Sequence, residues 1–406
     1  MRRHRVAVTG TGVVAPIGSS VAAFETALFS GRSGVGPITL FDPASLPVRI
    51  AAEVKERFDA PAPRDRKIGF ALEAARQAMA AACLPGSRPL GQGGLSIGLG
   101  LEVLAMEDLS AMRSGAPPRP ALLSDRLTFL QTPSDLSVPL LCREHGLAAP
   151  PRAHVSACAA GTDAVGGAFR AIAQGRSRWM LAGGTDSMIH PLGVAGFAKL
   201  GALSTWNGRP EAASRPFDRR RSGFVLGEGA GMLVLERRDD ALARGATVLA
   251  EIEGYGSSFD AHGISEPHPE GRGAAQAMAR ALADAGLSSD DVDAVNAHGT
   301  GTPKNDPIET LAIRRVFGGR RVPVSATKSM IGHLVSAAGA VEAIAAIACL
   351  RAGRLHPTIN LDDPDPACDL DHVRGASRPH PVRRILSTSF AFGGQNAAIV
   401  IARGEP

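Results

Sequence analysis

The feature that most narrows what this chain can fold into is an order of segments that it runs through twice. Near the start, the apolar stretch Arg5 to Ala15 is broken by Gly10-Thr11-Gly12, Pro16 and Gly18 mark a loop, and Val21 to Phe29 has the pattern of a short helix. Around residue 250 the order begins again. Ala250 to Gly256 reads as a strand with a glycine exit, Gly273 to Ala285 as a helix, and Val292 to His298 as a further strand. The repetition is one of pattern, not of residue identity. It predicts two similar halves, residues 1–250 and 251–406. Strands alternating with helices in both predict an α/β fold with largely parallel sheets covered by helices. In such folds, sites collect where strands end and helices begin.

Composition limits the function classes. With 406 residues, 44% hydrophobic and 20% charged, the chain can bury a large core. Its five cysteines are unevenly spaced with no CxxC pair, which argues against a disulfide framework and a zinc site and fits a reducing cytoplasm. The basic start Met1-Arg2-Arg3-His4-Arg5 leads into glycine after a few apolar residues, a strand rather than a secretion leader. No apolar run reaches the ~18 residues needed to span a membrane. A net charge of +5, spread without interleaved aromatics, does not make a nucleic-acid platform and at most suggests an acidic partner.

Several stretches have plain readings. Gly10-Thr11-Gly12-Val13-Val14-Ala15 satisfies a dinucleotide fingerprint, but the acidic residue that should follow about 20 positions on is missing between Phe29 and Gly36. Phe41 to Pro63, with alternating prolines and charges, reads as an irregular surface excursion. Arg66 to Cys83 is a packed helix whose basic start, Arg64, Arg66 and Lys67, is a candidate docking patch. Met106 to Pro133, rich in Arg, Pro and Ser, reads as a lid-like insertion or partner surface carrying Arg113, Arg119 and Arg126.

The chemistry concentrates in four places. In Val155-Ser156-Ala157-Cys158-Ala159-Ala160-Gly161 a cysteine stands where a short apolar run enters a helix. The helix N-terminus favours a thiolate there, which makes Cys158 a candidate nucleophile; a small buried hydrophobe is the plainer alternative. His298-Gly299-Thr300-Gly301-Thr302-Pro303 places a histidine at a strand exit, and Ser325 to His333 places Lys328 and a second histidine before an apolar helix. Inside that helix Glu342 is a carboxylate in need of a cationic partner, which Lys328 or His333 could supply. Ser389-Phe390-Ala391-Phe392-Gly393-Gly394-Gln395-Asn396 offers close backbone approach and amide donors for an oxyanion. Singly, a structural histidine, a solvated lysine and a simple turn would explain these stretches. Jointly, each at an element boundary, they do not.

Taken together, Cys158, His298 to Pro303, Lys328 to His333 and Phe390 to Gly394 resemble the β-ketoacyl-acyl carrier protein synthases, in particular the type II elongating ketosynthases of bacteria. The resemblance covers nearly the whole chain, including Pro191 to Val194, Ala202 to Thr205 and Pro357 to Leu361. It implies a thiolase-like fold, two duplicated halves in five layers αβαβα, as a homodimer or as a heterodimer with a homologous subunit. It also implies that Cys158 accepts an acyl group from the phosphopantetheine arm of a carrier protein, and that His298 and His333 hold the malonyl thioester for decarboxylation. Lys328 and Glu342 would pair and orient His333. The amides of Cys158 and Phe392, with Gly393 and Gly394 shaping the gate, would take the oxyanion. Thr300 and Thr302 would bind the pantetheine arm, while Asp306 and Glu309 would brace the His298 loop. No metal or organic cofactor is implied.

Two positions depart from the family pattern. Ala391 stands where a glycine is usual, which predicts altered gating by Phe392, and Gln395 stands where a threonine is usual. Within the class, fatty-acid elongation and a polyketide or polyene pathway are both open, and the changed gate and insertion favour the latter. The rivals are a non-catalytic chain-length-factor subunit, which would lack the nucleophile, and a coenzyme A thiolase, which would need a second cysteine near Gly393-Gly394.

Overall fold

Val6–Val14 (β1) is buried along all nine residues because it is one of the two strands at the centre of the main sheet. The computed structural model describes residues 3–60, 65–84, 93–101, 103–104, 131–132 and 135–405. Arg64, Arg113, Arg119 and Arg126, with most of the Met106 to Pro133 stretch, lie outside the described residues. The main sheet also holds Gly94–Leu99 (β2), Arg152–His154 (β3), Trp179–Ser187 (β4), Glu228–Arg237 (β5), Ala250–Phe259 (β6), Ala294–Asn296 (β7), Pro323–Ser325 (β8), Asp371–His372 (β9), Arg384–Phe390 (β10) and Gln395–Arg403 (β11). Their spatial order is β9-β8-β7-β10-β11-β6-β1-β5-β4-β2-β3.

That order repeats. Counting from the middle outward, each side runs first strand, fifth, fourth, second, third: β1-β5-β4-β2-β3 on one side and β6-β11-β10-β7-β8 on the other, with β9 added at the edge. The two first strands pair antiparallel, Val6 to Val8 against Ala250 to Ile252, and so join the sides. The expectation of largely parallel sheets needs correcting, since the outer strands are parallel and the five central pairings are antiparallel. The chain turns back from β10 to β11 with no helix between them, so no crossover imposes a parallel return.

The layers follow from alternation. In β5, Leu233 and Leu235 face one way and Met232 and Val234 the other; in β11, Ile399 and Ile401 oppose Ala398 and Val400. Met232 and Val234 pack with Arg66–Ala81 (α1), and Ala398 and Val400 with Arg272–Ala285 (α3). The inward faces of both sides close on Ala160–Ala173 (α2) and Ala338–Ala352 (α5), through Val165, Phe169, Val341 and Ile344. Helix, sheet, paired helices, sheet and helix are thus five layers around three apolar clusters, the central one covering both faces of the helix pair.

Four readings of the sequence change here. Gly10 and Gly12 serve packing: a Cβ on either would lie 2.1 Å from Ala78 O or 1.9 Å from Ala74 O, so their absence of side chain lets α1 press on β1. Phe41 to Pro63 is not a surface excursion throughout. Val48, Ile50, Ala51, Ala52 and Val54 are buried, and Ala52 N–H bonds Leu226 O, because all but Val54 pack in the same apolar cluster as Cys158. Arg66 and Lys67 form no solvated patch. Lys67 is 1% exposed and paired with Asp65 within hydrogen-bond reach of Leu101 O, and Arg66 grips Glu228 (2.8 Å) and Val54 O (2.6 Å). Finally, among the described residues one helical stretch of 18 residues, Val335–Ala352, is long and apolar enough to cross a membrane, but it contains one of the two central helices and is covered by protein.

Candidate active site

Cys158 lies where β3 gives way to α2 through the single turn Ala157–Ala159. Ala157 takes φ +46°, a left-handed conformation that costs a non-glycine residue about 1–3 kcal/mol and tends to persist at functional sites. The turn carries the thiol inward to 4% exposure. Burial pushes this thiol up to about 11, against the pull of the Lys328 charge and of the Phe392 and Cys158 amides. The thiolate preference expected from the helix start is therefore outweighed by the cost of burying a charge.

His298 follows β7 and is held by its backbone. Its N–H is shared between Glu309 Oε1 (2.8 Å) and Thr388 Oγ1 (3.0 Å), and the Gly299 N–H donates to Glu309 Oε2 (2.8 Å). Asp306 accepts the N–H groups of Gly301 (3.1 Å) and Phe217 (2.7 Å). Both carboxylates come from Asn305–Phe317 (α4), so this helix braces the whole loop, as the resemblance implies.

Lys328 is 1% exposed and meets three acceptors: Glu342 Oε1 at 2.5 Å, His298 O at 2.7 Å and His298 Nδ1 at 3.2 Å. An ammonium has three N–H donors and no acceptor, so all three are used and His298 Nδ1 must be the acceptor. The His298 proton then sits on Nε2. The expectation that the Lys328–Glu342 pair orients His333 is thus corrected: it orients His298. His333 Nδ1 is already occupied, accepting the Val335 N–H at 3.2 Å, which places the His333 proton on Nε2 as well. His333 Nε2 lies 3.1 Å from Cys158 Sγ, and the two imidazoles stand nearly perpendicular, centroids 5.3 Å apart.

Burial, with Lys328 nearby, holds both imidazoles well below the ordinary histidine range, so both are neutral. Burial likewise raises Glu342 to about 7 against the pull of Lys328. Two neutral imidazoles with Nε2–H donors beside a sulfur can stabilise a carbonyl oxygen that becomes an enolate.

One cleft gathers Cys158, His298, His333, Thr300, Thr302 and Phe392. Thr300 and Thr302 share a hydrogen bond at 3.0 Å. Gly393 and Gly394 take φ +86° and +83°, where a side chain would be strained, and their turn aims the Phe392 amide at the Cys158 sulfur. The Phe392 ring stacks on Phe197 (6.4 Å). Sequence reasoning missed Phe224, whose ring edge meets His333 at 5.1 Å, and the Asp260–Asn396 bond (3.0 Å) that holds the glycine turn. Phe224 sat in a glycine-rich stretch that resembles core, and no local signal separated it.

Two family models match, described as the N-terminal domain of beta-ketoacyl synthase, over residues 3–241, and its C-terminal domain, over 249–362. The 3-oxoacyl-[acyl-carrier-protein] synthase 2 of Synechocystis sp. is 42% identical over 99% of both chains, and that of Coxiella burnetii 40% identical over 99% of both. Among solved structures, a beta-ketoacyl synthase from Burkholderia phymatum superposes with a TM-score of 0.89 at 34% identity, covering 99% of this chain and 100% of the other. A chain from a type II polyketide acyl-carrier protein in complex with its ketosynthase bound to the hexaketide gives 0.89 at 32%, with the same coverage.

Proposed function

We propose that this chain, which belongs to the β-ketoacyl synthase family and is a β-ketoacyl-acyl carrier protein synthase, holds its acyl group on Cys158 and extends it with a malonyl unit held by His298 and His333. The observation that carries the assignment is the convergence of two imidazoles, each with Nδ1 already occupied, on a sulfur 3.1 Å from one of them.

In the first step the Cys158 sulfur attacks the acyl thioester. The bond from the acyl carbon to Cys158 forms, the bond from the acyl carbon to the pantetheine sulfur breaks, and the thiol proton leaves on that sulfur. The amides of Cys158 and Phe392 take the transient oxyanion. In the second step the malonyl thioester oxygen receives both Nε2–H bonds, the C–CO₂ bond breaks, and its electron pair becomes the enolate. The enolate carbon then attacks the Cys158 thioester, and sulfur leaves as a thiolate that takes up a proton from solvent as the β-ketoacyl product forms. Thr300 and Thr302 hold the pantetheine arm along the cleft. Protein groups suffice for every step, so the reading needs no metal or organic cofactor.

The same reading takes residues 1–250 as the half that supplies the nucleophile and 251–406 as the half that supplies the histidines and lysine. It takes an acyl carrier protein as the partner, in line with the carrier-bound ketosynthase among the solved structures, and a second ketosynthase-like subunit, identical or homologous, in a cytoplasmic dimer. The presence of Cys158 separates the chain from a non-catalytic chain-length factor, and the lack of cysteine in the Gly393-Gly394 turn from a thiolase. Intact-mass analysis with acyl-carrier proteins tests the assignment. Wild type should gain one acyl mass and Cys158→Ala none; acylation that persists in the variant would overturn the choice of nucleophile.

A further inference from the structure

Asp186, near the end of β4, is fully buried and takes no part in the steps above. Its Oδ2 accepts the backbone N–H of Ser336 at 2.9 Å. Ser336 follows Val335, a β-branched residue held at φ +45°. Such a conformation persists only where its surroundings over-determine it. Two consecutive N–H bonds do so here: Val335 donates to His333 Nδ1 and Ser336 to Asp186.

The backbone of His333 is fixed separately. Its N–H donates to Val225 O (2.7 Å) and its carbonyl accepts the Gly227 N–H (2.9 Å). What remains free is rotation of the imidazole, and the Val335 N–H fixes its Nδ1 end while the Phe224 ring edge and the Cys158 sulfur lie against the rest of the ring. Nor can the neighbouring segments shift to compensate. A Cβ on Gly184 would lie 2.4 Å from Ser336 O, and one on Gly161 would lie 2.8 Å from it, so β4, the Cys158 helix and the His333 segment already meet backbone to backbone.

We infer that Asp186 is a positioning residue for His333: it holds the Val335-Ser336 turn so that the Val335 N–H keeps Nδ1 occupied and the Nε2 proton directed at Cys158 and the malonyl oxygen. This rests on the role given to His333 above. What the turn needs from Asp186 is an acceptor oxygen for the Ser336 N–H. Burial raises its carboxyl to about 6 against the pull of the Ser336 N–H and of Lys67, and since the bond to the turn uses one oxygen, Oδ2, an amide oxygen can fill the same place.

The test compares wild type, Asp186→Ala, Asp186→Asn, His333→Ala and the double variant Asp186→Ala/His333→Ala. Two signals are read: acyl mass on Cys158 and CO₂ release from malonyl-acyl carrier protein. Asp186→Ala should still be acylated but lose about 10–100-fold in the rate constant for CO₂ release, the scale of a misplaced catalytic group. Asp186→Asn should recover most of that loss, and the double variant should release CO₂ no more slowly than His333→Ala, because the two residues act as one unit. A double variant much slower than His333→Ala, or a folded Asp186→Asn as slow as Asp186→Ala, overturns the inference. Equal loss of acylation and decarboxylation in Asp186→Ala also overturns it, in favour of a packing role. If His333→Ala itself releases CO₂ at the wild-type rate, the role given to His333 has failed instead.

Discussion

Replacing Lys328 with methionine removes the cation paired with Glu342 and leaves its carboxyl 0% exposed, with Oε2 already unpartnered among the described residues. Breaking a buried ion pair by deleting one partner costs about 3–5 kcal/mol. With an unfolding entropy of about 2.1 cal/mol/K per residue, the 406 residues give about 0.85 kcal/mol/K, so Tm should fall by about 4–6 °C. Lys328→Met/Glu342→Leu replaces both charges with apolar groups and should recover most of this, leaving about 1–2 kcal/mol for the His298 carbonyl that loses its donor. Scanning calorimetry of the two variants measures the difference. The pH dependence has a sign. A carboxyl whose folded value lies above its ordinary one binds more protons folded than unfolded, so stability falls as pH rises between the two values. Glu342, already raised to about 7 from 4.5, loses the charge that restrains it, so Lys328→Met should be more stable at pH 6 than at pH 8. A single variant with unchanged Tm, or a double variant no better than the single one, would refute this account of the pair. Neither variant should condense substrates, since His298 loses the donor that fixes its tautomer.

Three further outcomes follow from the site. His298→Ala and His333→Ala should each slow CO₂ release by about 10²–10³-fold, the cost of one oxyanion donor, while Cys158 still gains an acyl mass; loss of acylation in both would assign the histidines to the first step instead. Because burial holds the Cys158 thiol near 11, its alkylation by iodoacetamide should rise about tenfold per pH unit from pH 7 to 9 as thiolate accumulates, and a plateau near neutrality would falsify that ordering of forces. Ala391 is packed against two apolar clusters and its N–H bonds Gln395 O at 2.8 Å, so Ala391→Gly should loosen the Phe392 turn and change acylation rate and chain-length profile; identical profiles would show that the Cβ does not restrain the gate.

Which residues belong to the site was legible in the sequence, because Cys158, His298, Lys328, His333 and Glu342 are costly types standing at element boundaries or on an apolar face. How they pair was not. Lys328 reaches His298 while His333 Nδ1 is taken by the Val335 N–H, and a left-handed β-branched residue leaves no mark in a one-dimensional pattern. Lys67 misled for a related reason: a basic helix start is usually solvated, and the partner that buries it, Asp65, stands two residues back on the same chain. The double run of strand and helix pointed to two halves, but strand direction is invisible to periodicity, so the antiparallel centre of the sheet was out of reach. The two glycines of β1 matched a nucleotide motif because close helix packing and phosphate contact ask for the same missing side chain.

The short pairing of Val6 to Val8 with Ala250 to Ile252 has a consequence for how this enzyme can be taken apart. A cut between residues 244 and 249 would leave each fragment with a bare strand along one side, β1 or β6, and with a central helix, α2 or α5, stripped of half its cover. Uncovered apolar edges of that kind recruit other strands. The fragments should therefore re-associate with each other, or pair with their own copies, rather than persist as monomers. Only the first kind of complex would regain condensation, since the thiol travels with one fragment and both imidazoles with the other.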